Sequence, residues 1–142
     1  MEGPIAAAIG VLLLFIGLVA YSASSALAFT PSQARPESAS SIRVIDGDTV
    51  ESPYGVTYRL LGFDTPEIFS AKTPHEYALG MKAKRRLEQI ISRGTVKIIE
   101  SGKLDKYGRT LATMTVDGRD VAEILIREGL ARAYGGGKRL TW

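Results

Sequence analysis

From Ile5 to Tyr21 the chain carries no charge and is almost wholly apolar, and the stretch after it, Ser22 to Ala28, is small and weakly polar. This segment sets how much of the chain is left to fold as a globule. It ends in Ala26-Leu27-Ala28, the small-residue pattern of a signal-peptidase site, so that cleavage leaves Phe29 first. The alternative is an uncleaved helical anchor, since the run from Ile5 to Tyr21 sits at the low edge of what spans a bilayer. Met1-Glu2-Gly3-Pro4 lacks the basic side chains that orient such segments. Both readings expect a hydrophobic helix ahead of the domain and an exported protein. It is either secreted or periplasmic, or held on the outer face of the plasma membrane through residues 5–21.

Phe29 to Ser40 is mostly polar, punctuated by Pro31 and Pro36, and free of any period of 2 or 3.6, so it reads as a linker. Because this linker intervenes, the apolar run does not read as a core helix. The division is then a signal peptide or anchor over 1–28, a linker over 29–40 and a domain over 41–142. The domain has 102 residues, enough for one modest core and a monomer.

The chain has no cysteine and one histidine, His75. Disulfides and thiolate metal sites are excluded, and so is a His-rich site. A bound metal must be held mainly by oxygen, which points to calcium, magnesium or manganese. The net charge of +3 rises to +4 without residues 1–28, which contain only Glu2 as a charged side chain. A mildly basic domain suits a polyanionic partner, though charge alone argues it weakly.

Ser41 to Ile45 and Thr49 to Ser52 read as strands flanking Asp46-Gly47-Asp48, and Val56 to Leu61 returns after the Pro53-Tyr54-Gly55 turn. Pro74 to Ser92 reads as a helix, with Leu79, Ala83, Leu87, Ile90 and Ile91 on one face and Pro74 in the first turn. Its run Lys82, Lys84, Arg85, Arg86 reads as a solvated face, and His75 as a surface residue. Thr95 to Glu100 and Thr110 to Val116 are further strands. Asp120 and Glu123 stand at capping-box spacing before a short helix, Val121 to Glu128. Ala131 to Tyr134 is a last strand, after which Gly135-Gly136-Gly137 leaves the ordered pattern. The expected class is mainly β with helices (α+β). A five-stranded barrel of the oligonucleotide/oligosaccharide-binding (OB) type, with two to three helices, accommodates these elements.

Three clusters carry chemistry: Asp46-Gly47-Asp48-Thr49, Arg59-Leu60-Leu61-Gly62-Phe63-Asp64-Thr65-Pro66-Glu67, and Asp105-Lys106-Tyr107-Gly108-Arg109. Phosphodiester cleavage needs a cation on a phosphate oxygen, a base for water and positive charge around the transition state. Asp48 and Asp64 are candidate metal ligands, and Pro66 biases Thr65 toward extended geometry in which its carbonyl can join them. Arg59 and Arg109 are candidate phosphate clamps, because a guanidinium binds two phosphate oxygens and stays charged. Bland readings stand beside these: a hairpin turn at Asp46-Gly47-Asp48, a helix start at Asp64, and an ion pair between Arg109 and Asp105.

In residue type, order and spacing these three clusters resemble the staphylococcal (thermo)nuclease-like domain, over about Arg43 to Tyr134. The resemblance implies the OB fold and a calcium-dependent endonuclease that cleaves DNA and RNA on the 5′-oxygen side, giving 3′-phosphate products; single strands and flexible duplex ends are the expected preference, because an open groove of this size must reach a bent backbone. It gives Asp48, Asp64 and the Thr65 carbonyl to calcium, Glu67 the role of general base, Arg59 and Arg109 the transition state, and Lys106 and Tyr107 a terminal phosphate of the substrate. The chain departs from that pattern in two places. The segment after Glu67 is short, with Lys72 its one basic residue, and of a tyrosine pair only Tyr134 has a counterpart. The rival expectation is a tethered or exported OB module that binds single-stranded nucleic acid without cutting it.

Overall fold

The computed structural model describes residues 35–37, 41–139 and 141–142. The apolar run of residues 5–21 and the Ala-Leu-Ala site lie outside the described residues. Among those described, no helix is long and apolar enough to cross a membrane.

The elements follow in the order β1 (Arg35–Glu37), β2 (Arg43–Asp46), β3 (Thr49–Glu51), β4 (Thr57–Leu60), β5 (Gly62–Asp64), α1 (Pro74–Ser92), β6 (Val96–Leu104), β7 (Thr110–Val116), β8 (Arg119–Asp120), α2 (Val121–Arg127) and β9 (Arg132–Tyr134). Helix α1 begins where its sequence dictates. The Thr73 hydroxyl accepts from the Glu76 amide at 3.0 Å, and the Glu76 carboxylate reaches back to the Lys72 amide at 2.8 Å. These bonds satisfy donors that a helix start otherwise leaves open. Gly80, Ala83, Leu87, Ile90 and Ile91 form its buried stripe. Helix α2 is capped by Asp120, whose side chain accepts from the Ala122 amide at 2.8 Å.

The main sheet runs β1-β6-β7-β4-β3-β2, with β8 on β7, while β5 and β9 form a separate two-stranded ladder. The class is therefore a mixed sheet with two helices, but the expected closed five-stranded barrel is not what the hydrogen bonds draw. The break lies after Leu61. That residue still donates to the Ala112 carbonyl at 2.8 Å, but Gly62 takes φ 91° and turns the chain away toward β9. An L side chain rarely adopts such a φ, so glycine is what permits the corner. A second difference falls in the stretch read as linker, where Arg35–Glu37 pairs antiparallel with Val96–Ile98.

One core joins the layers. Leu60, Phe63, Leu87, Leu125, Val50 and Val96 are essentially fully buried. Each such side chain contributes about 1.5–3 kcal/mol relative to exposure. Two pairings position the chemistry. Thr49 of β3 sits opposite Arg59 of β4, and β4 runs parallel to β7 with Tyr58 opposite Thr110. The loop that ends in Arg109 is thereby delivered to the same side of the sheet as Arg59.

Candidate active site

The chain turns at Gly47-Asp48 between β2 and β3, as the hairpin reading expects; Gly47 does so outside the left-handed region, and what it supplies is room. A Cβ there would meet Thr65 Oγ1 at 2.7 Å and the Ala83 methyl at 2.8 Å. The β2–β3 turn therefore seats against both Thr65 and α1. Gly80 plays the same part further along, since its Cβ would meet the Glu67 and Pro66 carbonyls at 2.8 Å. Helix α1 can thus lie directly on the Pro66-Glu67 backbone and fix where Glu67 starts.

Asp48, Asp64 and Thr65 are all buried, at 3%, 4% and 2% exposure. Asp64 is in β5, so the helix start considered for it does not occur. Asp48 Oδ2 accepts the Thr65 amide at 3.0 Å and lies 3.2 Å from the Arg59 guanidinium. Burial pushes the Asp48 carboxyl above its usual range, against the opposing pull of Arg59. Arg59 also donates to Asp64 Oδ1 at 3.3 Å, to the Phe63 carbonyl at 3.0 Å and to the Leu60 carbonyl. One guanidinium thus joins both candidate metal ligands and pins the corner between β4 and β5.

Sequence reasoning missed the other cation in the cluster. Arg139 Nε donates to Asp64 Oδ1 at 2.6 Å, and its NH2 donates to the Thr65 carbonyl at 3.3 Å and lies 3.6 Å from Asp48 Oδ2. Its NH1 meets Glu67 Oε1. Burial alone would lower the Arg139 pKa, but the hydrogen bond and charge of Asp64 outweigh it and hold the guanidinium above its ordinary value. The only local signal was a pair of basic residues, Lys138-Arg139, beyond three glycines, and no pattern ties such a pair to carboxylates about 75 residues away.

The donor set fits a hard cation. Two carboxylates and a carbonyl gather around one positive group, the Arg139 guanidinium, and oxygens of that kind would suit such a metal. Among the described residues no group of three or more His, Asp or Glu side chains could hold a metal. A metal at this cluster would therefore complete its shell with the Thr65 carbonyl and water.

Arg109 occupies the third cluster, and its local partner is Asp105. The Arg109 side chain donates to Asp105 Oδ2 at 2.7 Å, while Asp105 Oδ1 accepts the amides of Tyr107 at 2.9 Å and Arg109 at 3.0 Å. Burial would raise the Asp105 carboxyl, but these bonds hold it below the usual range. The ion pair considered from sequence is thus formed. It does not close the site, because Arg109 NH1 also reaches Thr49 Oγ1 at 3.3 Å, and that hydroxyl lies 3.3 Å from Asp48 Oδ1. Tyr107 is 71% exposed, with Lys106 Nζ 4.9 Å and the Arg109 guanidinium 5.4 Å from its ring centre. Arg59, Tyr107, Arg109, Tyr134 and Arg139 line a groove of about 730 Å³. A second hollow of about 400 Å³, with Glu67, Lys72 and Trp142 in its wall, lies on the other side of Arg139. His75 is exposed and lines neither.

Comparison with known proteins places the chain in a family. The sequence model described as "Staphylococcal nuclease homologue" matches residues 57–139, which take in every candidate residue except Asp48. The chain is 39% identical over 97 residues to the SPbeta prophage-derived endonuclease YokF of Bacillus subtilis, which covers 63% of this chain and 32% of that protein. It is 40% identical over 97 residues to endonuclease YncB of the same organism, covering 63% and 44%. With the thermonuclease of Staphylococcus hyicus it shares 35% identity over 96 residues, covering 65% and 56%. The chain thus spans from 32% to 56% of the length of these curated relatives. With more than half of its length matched by that model, including the β4–β5 corner and the loop before β7, the chain belongs to the family of staphylococcal nuclease homologues.

Proposed function

We propose that the chain is a metal-dependent endonuclease that hydrolyses phosphodiester bonds of DNA and RNA as an exported monomer. The carrying observation is the convergence of Asp48, Asp64, the Thr65 carbonyl and Glu67 on one cationic group, beside a groove lined by Arg59 and Arg109. The relatives named as endonucleases and thermonuclease support the same reading. Calcium is the proposed metal, held by Asp48, Asp64 and Thr65; it would polarise a phosphate oxygen and stabilise developing charge there.

The protein's own groups supply the rest. Glu67 takes a proton from the attacking water, its Oε2 being oriented by the Ser70 hydroxyl at 3.0 Å. Arg59, fixed by the β4–β5 corner, and Arg109, carried by the loop before β7, meet the equatorial oxygens. The bond from phosphorus to the 5′ oxygen breaks, that oxygen takes up a proton from solvent, and a 3′-phosphate end remains. Lys106 and Tyr107 hold a terminal phosphate at the rim. An open groove reaches a bent, unpaired backbone more readily than a straight duplex, so single strands are the preferred substrate.

The test is digestion of denatured DNA and of RNA by the purified chain in millimolar calcium, in parallel with chelator and with Glu67→Gln. Cleavage lost in both controls is the expected outcome. The rival draws on one observation, the exposed Tyr107 ring flanked by two cations, which suits base stacking without chemistry. Binding that survives chelator, with the nucleic acid intact in calcium, would select that rival.

A further inference from the structure

Arg139 touches every group assigned to the metal and to the attacking water. Its guanidinium spans Asp64 Oδ1, the Thr65 carbonyl and Glu67 Oε1, with Asp48 Oδ2 at 3.6 Å. We infer that Arg139 is an intramolecular plug, which a divalent cation must displace before the site can work. The inference rests on the metal-dependent reading above and goes beyond it.

Charge favours the exchange. Three carboxylates, Asp48, Asp64 and Glu67, meet two guanidiniums, Arg59 and Arg139. Arg59 offsets one of the three negative charges. Arg139 offsets one more and leaves the cluster short, the more so because the Asp46 charge also acts there, whereas a divalent cation offsets two. The side chains also differ in how firmly they are held. That of Arg59 is 11% exposed and that of Arg139 is 41% exposed. Arg59 sits within a strand, but Arg139 follows Gly135-Gly136-Gly137, which are exposed and have open space around their Cβ positions. Gly136 and Gly137 take φ 108° and 94°, a backbone region that other residues rarely enter.

Among the described residues, the ties on the chain around Arg139 can be read individually. Tyr134 Oη donates to the Gly137 carbonyl at 2.6 Å, and Arg132 donates to the Thr141 carbonyl at 2.8 Å. The Arg132 guanidinium also lies 4.0 Å from the centre of the Trp142 ring. Both anchors belong to β9, whose Arg132 pairs in register with Asp64. Whatever binds Asp64 therefore shares a two-stranded ladder with the anchors beneath the plug. Arg139 also lines both hollows, of about 730 Å³ and about 400 Å³, so its departure would open space between them on the side of Glu67.

The experiment measures calcium binding directly, by titration calorimetry and by the emission of Trp142, the one tryptophan of the chain. The proteins are the full chain, Arg139→Gln, Lys138→Gln as a charge-matched control, and Asp48→Asn. If the plugged form makes up about nine-tenths of the free protein, releasing it tightens apparent affinity about tenfold. Arg139→Gln should show that gain and Lys138→Gln should not. In the parent, Trp142 emission should change saturably with calcium, and Asp48→Asn should abolish both signals. Equal calcium affinity in the parent and Arg139→Gln, with Trp142 silent, would overturn the plug while leaving the metal site standing. Absence of calcium binding in the parent and in Arg139→Gln alike would overturn both.

Discussion

Two carboxylate–arginine clusters face the groove, and they are built in opposite ways. In the β4–β5 corner, Asp48 and Asp64 are buried and share Arg59, and burial pushes the Asp48 carboxyl up despite its partner. In the loop before β7, Asp105 is nearer solvent and four residues from its partner Arg109, and its hydrogen bonds pull its carboxyl down despite partial burial. The first arrangement retains negative charge at a cost in stability, which suits a place prepared for a cation. The second spends its carboxylate on shaping a loop and holding one arginine toward the groove. Pairing an arginine with an aspartate thus has no single meaning, because surroundings decide whether the pair is a reserve of charge or a structural clasp.

Removing the shared arginine breaks the comparison hardest. Arg59→Ala leaves two buried carboxylates without their common partner, and a broken buried pair costs about 3–5 kcal/mol. A large fall in Tm, with activity lost, is expected in calorimetry; an unchanged Tm would show that the corner does not depend on Arg59. Arg109→Ala should separate the two regions. Turnover is expected to fall about 10³-fold, the scale of an arginine on transferring phosphoryl charge, with Tm nearly unaltered. If turnover holds, the loop arginine is only a clasp.

Asp48→Asn sharpens the contrast in sign. Because burial opposes the charge of Asp48, the variant in chelator should melt at or slightly above the parent, within about 4 °C, while losing calcium binding. A clear drop in Tm would mean that the pair with Arg59 outweighs burial. For Asp105 the sign runs the other way. Its folded pKa is depressed, so its stabilisation is fully present above its unfolded value near 3.8 and is lost as pH falls through the lower folded value. The Tm gap between parent and Asp105→Asn should therefore be constant from pH 7 to about pH 5 and close in strong acid. A gap independent of pH would refute the linkage. The smallest effect is expected at the contact between α1 and α2, where Arg86 and Glu128 pair at 2.7 Å at the surface. Arg86→Ala should cost under about 1 kcal/mol, read as a small shift in a denaturant midpoint.

Much of this was legible in the residues. Pro74 and Asp120 mark the starts of α1 and α2, because such signals are settled within a few residues, while the Thr73 cap came from the structure. The stripe through Ala83, Leu87 and Ile90 predicts the buried face of α1 for the same local reason. The three clusters supplied the candidate residues of the site, apart from Arg139. The extent of β6 to Leu104, the strand at Arg35–Glu37 and the departure of β5 toward β9 were not legible. Each is set by the strand it meets and not by its own composition.

By itself, the sequence supplied the candidates proposed to hold a hard cation, activate water and meet phosphate, since those capacities belong to residue types at short spacing. The tertiary structure decided what each group faces. Gly47 and Gly80 act through the space they leave for Thr65, Ala83 and the Glu67 backbone. Thr49 lies between Arg109 and Asp48 because β3 and β7 both flank β4. Arg139 reaches Asp64 across 75 positions because β9 folds back along β5. Electrostatic pairing acts through distance in space and leaves no periodic mark along the chain, so the cation that now fills the site could be found only once the chain had folded.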